Sequence, residues 1–430
     1  MIELILAMTK SCGIGYQNKL PWVCKKELAL FETKTMDNVV IVGQKTSINM
    51  PILQGRTVFI VNSSHSIEDA IRYSLEIKPN KKIFIIGGAT IYNYVLENLM
   101  HIVERIHISI MNEEYTCDSF VNLNINDNNF NTESKQEFKD FVHYVLTPKN
   151  KGEIQYRNLL SNLLKNGKNT YGRNGNVMSD FVNHFTFNLT EGFPLLTTKK
   201  MFFRGIVEEL LFFLRGDTDT KKLEQKGINI WKGNTSRKFM DSIGLNYPEG
   251  MMGPMYGYQW RFFNEDYSKG INKGIDQLSN VIHMIKTDPK SRRILMTDFN
   301  PLQVSEGVLY PCHSIILQFF VEDNFLDMYC FNRSSDVFLG LPFNIASSSL
   351  MLMIIAKMTN LVPRYFNLSL GDCHIYKQHI ECVKQQLERI PFKFPNVSIK
   401  DFNLVEDITY EHITLNNYNY HPSIKAEMVS

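Results

Sequence analysis

The sequence predicts an α/β domain with a mostly parallel sheet at residues 1–148, followed by an α+β domain at residues 153–430. Three observations predict this arrangement. The chain has 430 residues, which is more than one domain usually holds. Its composition, 44% hydrophobic and 21% charged, is that of a globular protein. Short β-rich segments alternate with helical ones up to about residue 145, and long apolar helices and paired strands then follow.

Five segments of the first half are predicted to be buried strands, and two are predicted to be helices. The strand segments are rich in Val and Ile and span residues 3–8, 38–43, 56–64, 81–88 and 105–111. The helical segments, residues 66–77 and 89–100, place apolar side chains near helical spacing. The repeated strand–helix–strand order favours a mostly parallel sheet. The Asn- and Asp-rich residues 122–131 are predicted to form a surface loop, and residues 149–152 form a short polar break.

The second half is predicted to combine core helices with an antiparallel strand pair. Residues 154–167 and 205–216 have the apolar spacing of amphipathic to fully buried helices. Residues 313–334 predict two antiparallel strands that turn at Glu322–Asn324. Residues 347–359 are apolar on nearly every side, which is typical of a core helix.

Charge and cysteine content exclude several classes of protein. The formal net charge of +2 gives no reason to expect nucleic acid or a membrane surface as partner. The seven cysteines are scattered without a C-x-x-C pair, so free thiols in a reducing compartment are expected. Residues 1–10 lack a basic region and a cleavage site and are predicted to form a strand, not a signal peptide. The longest apolar run, Leu350–Ala356, is shorter than the roughly 18 residues of a membrane span. We therefore expect a soluble cytoplasmic protein.

The densest chemical signal lies in SRRI (291–294), YPCHS (310–314) and NRSSDVFLGLPFNIAS (332–347). The adjacent Arg292 and Arg293 could bind a phosphate in bidentate fashion, although such a pair is more often a solvated surface feature. Cys312 alone would usually be a small buried residue. In combination, the arginines favour a thiolate, and a thiolate with a depressed pKa is what a cysteine nucleophile needs.

Taken in order, the motifs of the second half resemble thymidylate synthase over about residues 155–430. The matching strings are GFPLLTTKK (192–200), EELLFFLRGDT (208–218), GPMYGYQWR (253–261), DPKSRRI (288–294), YPCHS (310–314), RSSDVFLGLPFNIAS (333–347) and GDCHIYKQH (371–379). The resemblance implies reductive methylation of dUMP with methylenetetrahydrofolate as co-substrate. It also implies a homodimer, because Arg292 and Arg293 would reach into the phosphate site of the second subunit.

The resemblance also implies roles for individual residues. Cys312 would be the nucleophile that adds to ring carbon six of dUMP, and Glu209 would move protons through ordered water. Asn344 would bind the pyrimidine edge, and its amide argues for dUMP, since the related dCMP hydroxymethylases carry an acid there. The other residues implied to contact dUMP are Arg173, Arg292, Arg293, His313, Arg333, Ser334, Asp336, His374 and Tyr376. Those implied to contact the folate are Trp231, Asp336 and Phe343.

Three positions depart from this family. The segment around Arg173 carries Asn174 and Asn176 and is one residue short before Phe181. Lys232 follows Trp231 where the family has aspartate, and the chain ends in Ser430 where the family has an apolar residue. The terminal segment closes over the folate in the family, so Ser430 is expected to loosen that closure. No metal is expected, since His374 and His379 are five residues apart without an acidic partner.

In the first half, GIGYQNKLPWVCKKELALF (13–31) is the informative segment. Glu27 lies among apolar neighbours, where its pKa would be raised and it could share a proton with a ring. It could equally be an acid that favours the N-terminal end of a helix dipole. VIVGQKTS (40–47) does not match a P-loop, because no glycine stands five residues before Gly43. In IFIIGGATIY (83–92), the glycines at the strand end would let a pyrophosphate approach a helix.

In this order the motifs resemble dihydrofolate reductase over about residues 1–145. The resemblance implies NADPH as cofactor and Glu27 as the acid that binds the pteridine, with Ser109 bracing Glu27 and Trp22 ordering the site. Ile5 and Phe31 would line the pocket, and Arg56 would bind the carboxylate of the folate tail. The positions implied to contact NADPH are Ala7, Ile14, Gly43, Lys45, Thr46, Gly87, Gly88 and Tyr92. Gln44 stands where a basic residue is usual, and the segment between Ser64 and Lys81 is short by about one strand.

A reductase followed by a synthase resembles the enzymes of protists and plants that carry both activities. The order makes chemical sense, because the synthase releases dihydrofolate and the reductase converts it back to tetrahydrofolate. A second hypothesis keeps the synthase active and gives residues 1–145 a docking or regulatory role, on the basis of Gln44 and the missing strand. A third, RNA binding, has little support from a net charge of +2 without a basic stripe.

Overall fold

The computed structural model describes residues 2–100, 102–123, 130–148, 150–172, 175–269, 273–389 and 391–427. The chain divides into two compact units, Met1–Asn158 and Leu159–Ser430.

The first unit follows the predicted alternation of strands and helices. Its strands are β1 (Ile2–Met8), β2 (Gly13–Gly15), β3 (Val39–Gly43), β4 (Thr57–Val61), β5 (Ile83–Ile85), β6 (Val103–Met111), β7 (Ser119–Phe120), β8 (Phe130–Glu137) and β9 (Phe141–Pro148). Its helices are α1 (Lys25–Thr35), α2 (Gln44–Ile48), α3 (Ile67–Ile77) and α4 (Ala89–Tyr94), and a π-helical turn at Val95–Leu99 continues α4. All five predicted strands and both predicted helices of this half are confirmed.

The strands form a mostly parallel sheet in the order β4-β3-β5-β1-β6-β9-β8. The pairs β3–β4, β3–β5, β1–β5 and β1–β6 are parallel, and β9 runs antiparallel to both β6 and β8. The interior strand β3 has Val39, Val40, Ile41 and Val42 fully buried, which its unbroken β-branched run predicts. The α/β class expected for this half is confirmed.

Two predictions at the end of this half need correction. The predicted loop at residues 122–131 is wrong at its end, because Phe130 and Asn131 belong to β8, and residues 124–129 lie outside the described residues. β8 is an edge strand with exposed side chains, so its polar sequence carries no apolar alternation. The predicted break at 149–152 ends at Lys151, where the next helix begins, and Lys149 is not described.

From Lys151 onward, the chain forms a second set of helices and strands. The main helices are α5 (Lys151–Asn166), α6 (Phe203–Leu214), α7 (Lys221–Glu224), α8 (Arg237–Ser242), α9 (Gly257–Phe262), α10 (Gln277–Thr287), α11 (Gly340–Met358) and α12 (Ile380–Leu387). The strands are β10 (Lys168–Gly172), β11 (Gly175–Asn188), β12 (Leu295–Thr297), β13 (Ile316–Glu322), β14 (Phe325–Asp336), β15 (Val362–Tyr376), β16 (Asn396–Ile399) and β17 (Ile413–Asn416).

The second sheet has the order β10-β11-β15-β14-β13-β12, and only its β14–β15 pair is parallel among the described strands. The antiparallel pair β13–β14 turns where Glu322–Asn324 was predicted to turn, which confirms that expectation. Helix α11 packs on β14 and β15 and is almost wholly buried, as its apolar sequence predicts. Among the described residues, α11 alone is long and apolar enough to span a membrane, and 67% of its apolar window is buried inside the structure.

Two candidate active sites

The candidate reductase site is built around Glu27 in the first turn of α1. Its side chain is buried, with 6% of the residue exposed. Burial raises the pKa of Glu27, and a hydrogen bond with Ser109 on β6 partly offsets that rise. Both interpretations of Glu27 therefore hold together, since it is a first-turn acid and a buried acid with a raised pKa.

The predicted pocket residues lie close to one another. Ile5 is buried, and half-buried Phe31 packs against the same small apolar cluster, which also includes Phe84. The Arg56 side chain is largely buried, donating from Nε to the Gln54 carbonyl at 3.0 Å and from Nη1 to the Thr35 hydroxyl at 3.3 Å. These bonds hold the guanidinium at the end of α1 and leave part of its donor set for a carboxylate.

The predicted cofactor residues meet where β3 and β5 end. The Gly43 amide donates to the Gly87 carbonyl at 2.7 Å. A Cβ on Gly87 would lie 2.5 Å from the Tyr92 ring, and one on Gly88 would lie 2.7 Å from the Thr46 hydroxyl. Only glycine therefore fits at these two positions, and glycines between a strand end and a helix are typical of the place where a dinucleotide phosphate binds.

The remaining predicted cofactor residues are more spread out. Ala7 on β1 packs beside buried Trp22, and Ile14 on β2 packs against the main core. Lys45, on α2, is exposed. The Tyr92 hydroxyl donates to the Ile5 carbonyl at 2.6 Å, which links the cofactor edge with the predicted pteridine pocket.

The candidate synthase site centres on Cys312, which precedes β13 and is held by β14. The Cys312 carbonyl accepts from the Arg333 amide at 2.9 Å and from the Ser334 amide at 3.3 Å. The Cys312 thiol lies 3.5 Å from the Tyr256 hydroxyl, which also accepts from the Cys312 amide at 3.4 Å. These contacts fix the sulfur beside a hydroxyl that can donate a hydrogen bond to the thiolate.

The expected depression of the Cys312 pKa is wrong for this structure. Burial raises the pKa of the thiol above its usual value and outweighs the other effects. The Tyr256 hydrogen bond and the Arg333 charge both lower it, so the arginine acts in the predicted direction but is too weak alone. The exposed Arg333 side chain explains this weakness, because solvent screens its charge.

An aromatic cluster supports this cysteine. Tyr256 stacks on His313 at 4.5 Å between ring centroids and on Phe213 at 5.1 Å. Burial lowers the pKa of His313 to about 4, so its ring is neutral at pH 7. Phe213 was not predicted as a site residue, because it lies on α6 within an apolar run and differs from its neighbours only by position.

Glu209 lies on α6 next to the predicted folate-binding Trp231. The indole Nε1 of Trp231 donates to Glu209 Oε1 at 2.7 Å. Burial raises the pKa of Glu209 to about 7, against the lowering effect of this bond. A carboxyl with that pKa can both take up and release a proton near neutral pH.

The parallel pairing of β14 with β15 brings several predicted contacts together. Ser334 pairs with Asp372, and Asp336 pairs with His374. His374 Nδ1 lies 2.6 Å from the Asp372 carboxylate, and the His374 ring meets Tyr376 at 5.2 Å. Asp336, the last residue of β14, accepts from the Phe338 and Leu339 amides. Phe343 and Asn344 follow in the first turns of α11. The site is therefore assembled from the ends of β14 and β15 and the first turns of α11.

The remaining phosphate candidates stand apart from this group. Arg292 and Arg293 are exposed, between α10 and β12. Arg173 lies outside the described residues, as does Ser430. Near the C-terminus, the Glu427 carbonyl accepts a hydrogen bond from His379 Nε2 at 2.8 Å, which holds the chain in place at that residue. Lys232, the other departure, has its ammonium 3.9 Å from a Glu224 carboxylate oxygen.

Comparison with known proteins agrees with this geometry. A thymidylate synthase family model matches residues 154–430, and a dihydrofolate reductase family model matches residues 1–147. The bifunctional dihydrofolate reductase-thymidylate synthase of Paramecium tetraurelia is 38% identical, over 99% of this chain and 98% of the relative. The bifunctional protein of Zea mays is 32% identical over 99% and 96%, and protein 1 of Arabidopsis thaliana is 33% identical over 99% and 95%.

The chain belongs to the bifunctional dihydrofolate reductase–thymidylate synthase family. It is an enzyme with two activities. Its second half converts dUMP to dTMP with methylenetetrahydrofolate, and its first half reduces dihydrofolate to tetrahydrofolate with NADPH. The hypothesis that residues 1–145 serve only for docking or regulation is set aside, as is RNA binding as the main function.

Within this bifunctional enzyme, three buried groups near the sites were missed by the sequence reasoning. Asp298, just after β12, is buried with both carboxyl oxygens unpartnered among the described residues, and burial raises its pKa well above the usual value. His107 and His143 are buried beside Ser109. The alternation of β9, with Phe141, His143 and Val145 buried in turn, was a usable signal for His143.

Proposed function

We propose that Cys312 and Glu209 are the catalytic residues of the synthase and that Glu27 is the catalytic acid of the reductase. The observation that carries the synthase assignment is the contact of the Cys312 thiol with the Tyr256 hydroxyl at 3.5 Å, beside Arg333. For the reductase it is the burial of Glu27 against Ser109.

In the synthase, the Cys312 sulfur adds as a thiolate to ring carbon six of dUMP once its proton has passed to water, and the Tyr256 hydroxyl donates a hydrogen bond that stabilises the thiolate. Ring carbon five then carries the electron pair and bonds to the methylene carbon of the folate. A proton must leave carbon five before the folate can be released, and Glu209 with a pKa of about 7 is suited to receive it through water. Hydride from the folate completes the methyl group, dihydrofolate departs, and the sulfur is expelled to regenerate Cys312.

The other residues of the synthase site bind the two substrates. Arg333 and Ser334, with Arg173, hold the phosphate, and His374 with Tyr376 holds the deoxyribose hydroxyl. Asn344 reads the pyrimidine edge and neutral His313 lines the ring site. The folate is held by Trp231, Asp336 and Phe343. The β14–β15 register supports this division, because it sets the phosphate and sugar residues side by side.

The synthase half acts as a homodimer, in which Arg292 and Arg293 complete the phosphate site of the second subunit. Two observations support this proposal. Both arginines are exposed. One face of the second sheet also carries exposed apolar side chains, with Leu295 44% and Phe320 58% exposed. Light scattering tests it, since a monomer mass at assay concentrations would contradict the proposal.

In the reductase, Glu27 supplies the proton that accompanies reduction, with Ile5 and Phe31 lining the pteridine pocket and Arg56 binding the folate tail. NADPH supplies the hydride when bound. The residues that would hold it are Ala7, Ile14, Gly43, Lys45, Thr46, Gly87, Gly88 and Tyr92. The side-chain-free backbone at Gly43 and Gly87–Gly88 supports this placement.

We propose domain boundaries at 1–148 and 153–430, and the segments that the two family models match, 1–147 and 154–430, support this proposal. We place the enzyme in the cytoplasm, without a membrane or nucleic-acid partner, since seven scattered cysteines and a net charge of +2 favour that setting.

A pair of variants tests the catalytic assignment. Cys312→Ala should abolish dTMP formation while dihydrofolate reduction continues, and Glu27→Ala should do the reverse. Each variant is therefore the folding control for the other. Full reductase activity in Glu27→Ala, or dTMP formation by Cys312→Ala, would overturn the corresponding assignment.

A further inference from the structure

A line of buried polar groups runs away from Glu27 on three neighbouring strands. It consists of Ser109 and His107 on β6, His143 on β9 and Glu3 on β1. All four are at least nine-tenths buried. Buried polar groups are costly unless they are paired, so their contacts indicate what they do.

The contacts connect Glu27 with the two histidines. Ser109 hydrogen-bonds Glu27, and its Oγ lies 3.2 Å from His143 Nδ1. His143 stacks on His107 with 5.9 Å between ring centroids and 16° between planes. His107 Nε2 lies 2.7 Å from Glu3 Oε2. The stack fixes the His143 ring, and the ring in turn fixes the Ser109 hydroxyl.

The unpartnered nitrogens determine which atoms carry the protons. His143 Nε2 and His107 Nδ1 are buried without a hydrogen-bond partner among the described residues. An orphaned N–H is costlier than an orphaned acceptor, so each proton belongs on the bonded nitrogen. His143 therefore donates from Nδ1 to Ser109 Oγ, and His107 donates from Nε2 to the Glu3 carboxylate. Because the Ser109 oxygen accepts from His143, its own proton is free to point at Glu27.

The charged groups around His143 and His107 support this arrangement of protons. Burial lowers the pKa of His143 to about 4, with Lys34 and His107 adding to the effect, so the ring is neutral at pH 7. Burial alone would raise the pKa of Glu3, but hydrogen bonds from His107 and Lys82 hold it at about 2. The charged and titratable groups that face the line are Lys34 on α1, Lys82 before β5, Tyr92 on α4, Arg105 on β6 and Glu133 on β8.

We propose that His143 is a positioning residue for the reductase: it orients the Ser109 hydroxyl towards Glu27 and thereby sets the proton affinity of that carboxyl. The proposal rests on the role of Glu27 given above. The His107–Glu3 pair acts one step further away by holding the His143 ring in place. Reduction consumes a proton together with the hydride, so the rate falls as the pH rises past the pKa of Glu27.

The test is the pH dependence of the hydride-transfer rate, measured by stopped flow with NADPH and dihydrofolate. His143→Phe keeps an aromatic ring for the stack but removes the donor to Ser109. The Glu27 carboxylate then loses an oriented hydrogen bond, which raises its pKa. The falling limb of the pH–rate profile, where the rate drops as Glu27 ionises, should therefore move to higher pH by about half a unit or more. His143→Asn places an amide N–H near the position of Nδ1 and should return the limb towards that of the wild type.

Two further variants separate the possible outcomes. His65→Phe changes an exposed histidine of the same unit and should leave the profile unchanged. Glu27→Gln should remove the limb, and a limb that persists there would refute the role of Glu27 itself. If Glu27→Gln removes the limb while His143→Phe lowers the rate at every pH without moving it, His143 is merely structural and the proposal is overturned.

Discussion

The hydrogen bond between Trp231 and Glu209 offers a sharp test of the synthase site. Trp231→Phe retains a ring at this position but removes the indole N–H that donates to Glu209 Oε1 at 2.7 Å. Burial already raises the pKa of Glu209 to about 7, and this bond is what restrains the rise. Its loss must therefore move the pKa further upward.

The size of the shift follows from the strength of the bond. A hydrogen bond to a charged group contributes about 1.5–3 kcal/mol, and 1.36 kcal/mol corresponds to about one pKa unit, so we expect a rise of about one to two units. The ionised fraction of Glu209 at pH 7 then falls from about half to roughly a tenth or less. If the carboxylate is the proton acceptor, dTMP formation at pH 7 falls about five-fold or more and recovers towards higher pH.

The assay is the pH profile of dTMP formation at saturating dUMP and methylenetetrahydrofolate, which separates the pKa effect from weaker folate binding. Trp260→Phe is the matched control, because Trp260 is buried in the same aromatic cluster but its Nε1 has no partner among the described residues. A Trp231→Phe profile that is lowered uniformly, with its limb at the same pH as in the wild type, would show that this hydrogen bond does not set the pKa of Glu209.

Two other predictions follow from charges in the two units. Arg333→Gln should raise the pKa of the Cys312 thiol, because the arginine charge lowers it, so alkylation of Cys312 should begin at higher pH. Arg237→Gln is the control and should leave the pH dependence of alkylation unchanged. The same pH dependence in Arg333→Gln and the wild type would contradict an effect of Arg333 on the thiol. The pKa of Glu3 is about 2 against a usual 4.5, so its contacts contribute roughly 3 kcal/mol of stability above about pH 4.5, lost as the pH falls towards 2. Calorimetry should find Glu3→Gln less stable than the wild type at pH 7 with a gap that narrows in acid, and a gap independent of pH would count against that value.

The order of strands and helices was predictable where local patterns are strong. The β-branched run of β3 and the apolar run of α11 each allow one arrangement, since both must be buried. Edge strand β8 was missed because its exposed polar sequence is not constrained by the core. Backbone pairing with β9 creates that strand, and such pairing leaves no mark in the sequence of an edge strand.

The sites were predictable by residue type but not by environment. Cys312 was identified from its motif, yet its contact with Tyr256 joins residues 56 positions apart. The pKa expectation for Cys312 was wrong because depth of burial depends on the whole fold. For Glu27, the sequence left two interpretations at equal weight, an acid in the first turn of a helix and a buried acid with a raised pKa. The structure shows that both apply, because α1 places Glu27 in its first turn and buries its side chain.

The central claim, that both sites work in one chain, is tested most directly by stoichiometry. Wild-type enzyme is supplied with dUMP, methylenetetrahydrofolate and NADPH, but no dihydrofolate. We expect NADPH oxidation and dTMP formation in equal amounts after an initial lag, with both lost in Cys312→Ala and only NADPH oxidation lost in Glu27→Ala. Accumulation of dTMP and dihydrofolate with NADPH untouched in the wild type would contradict it.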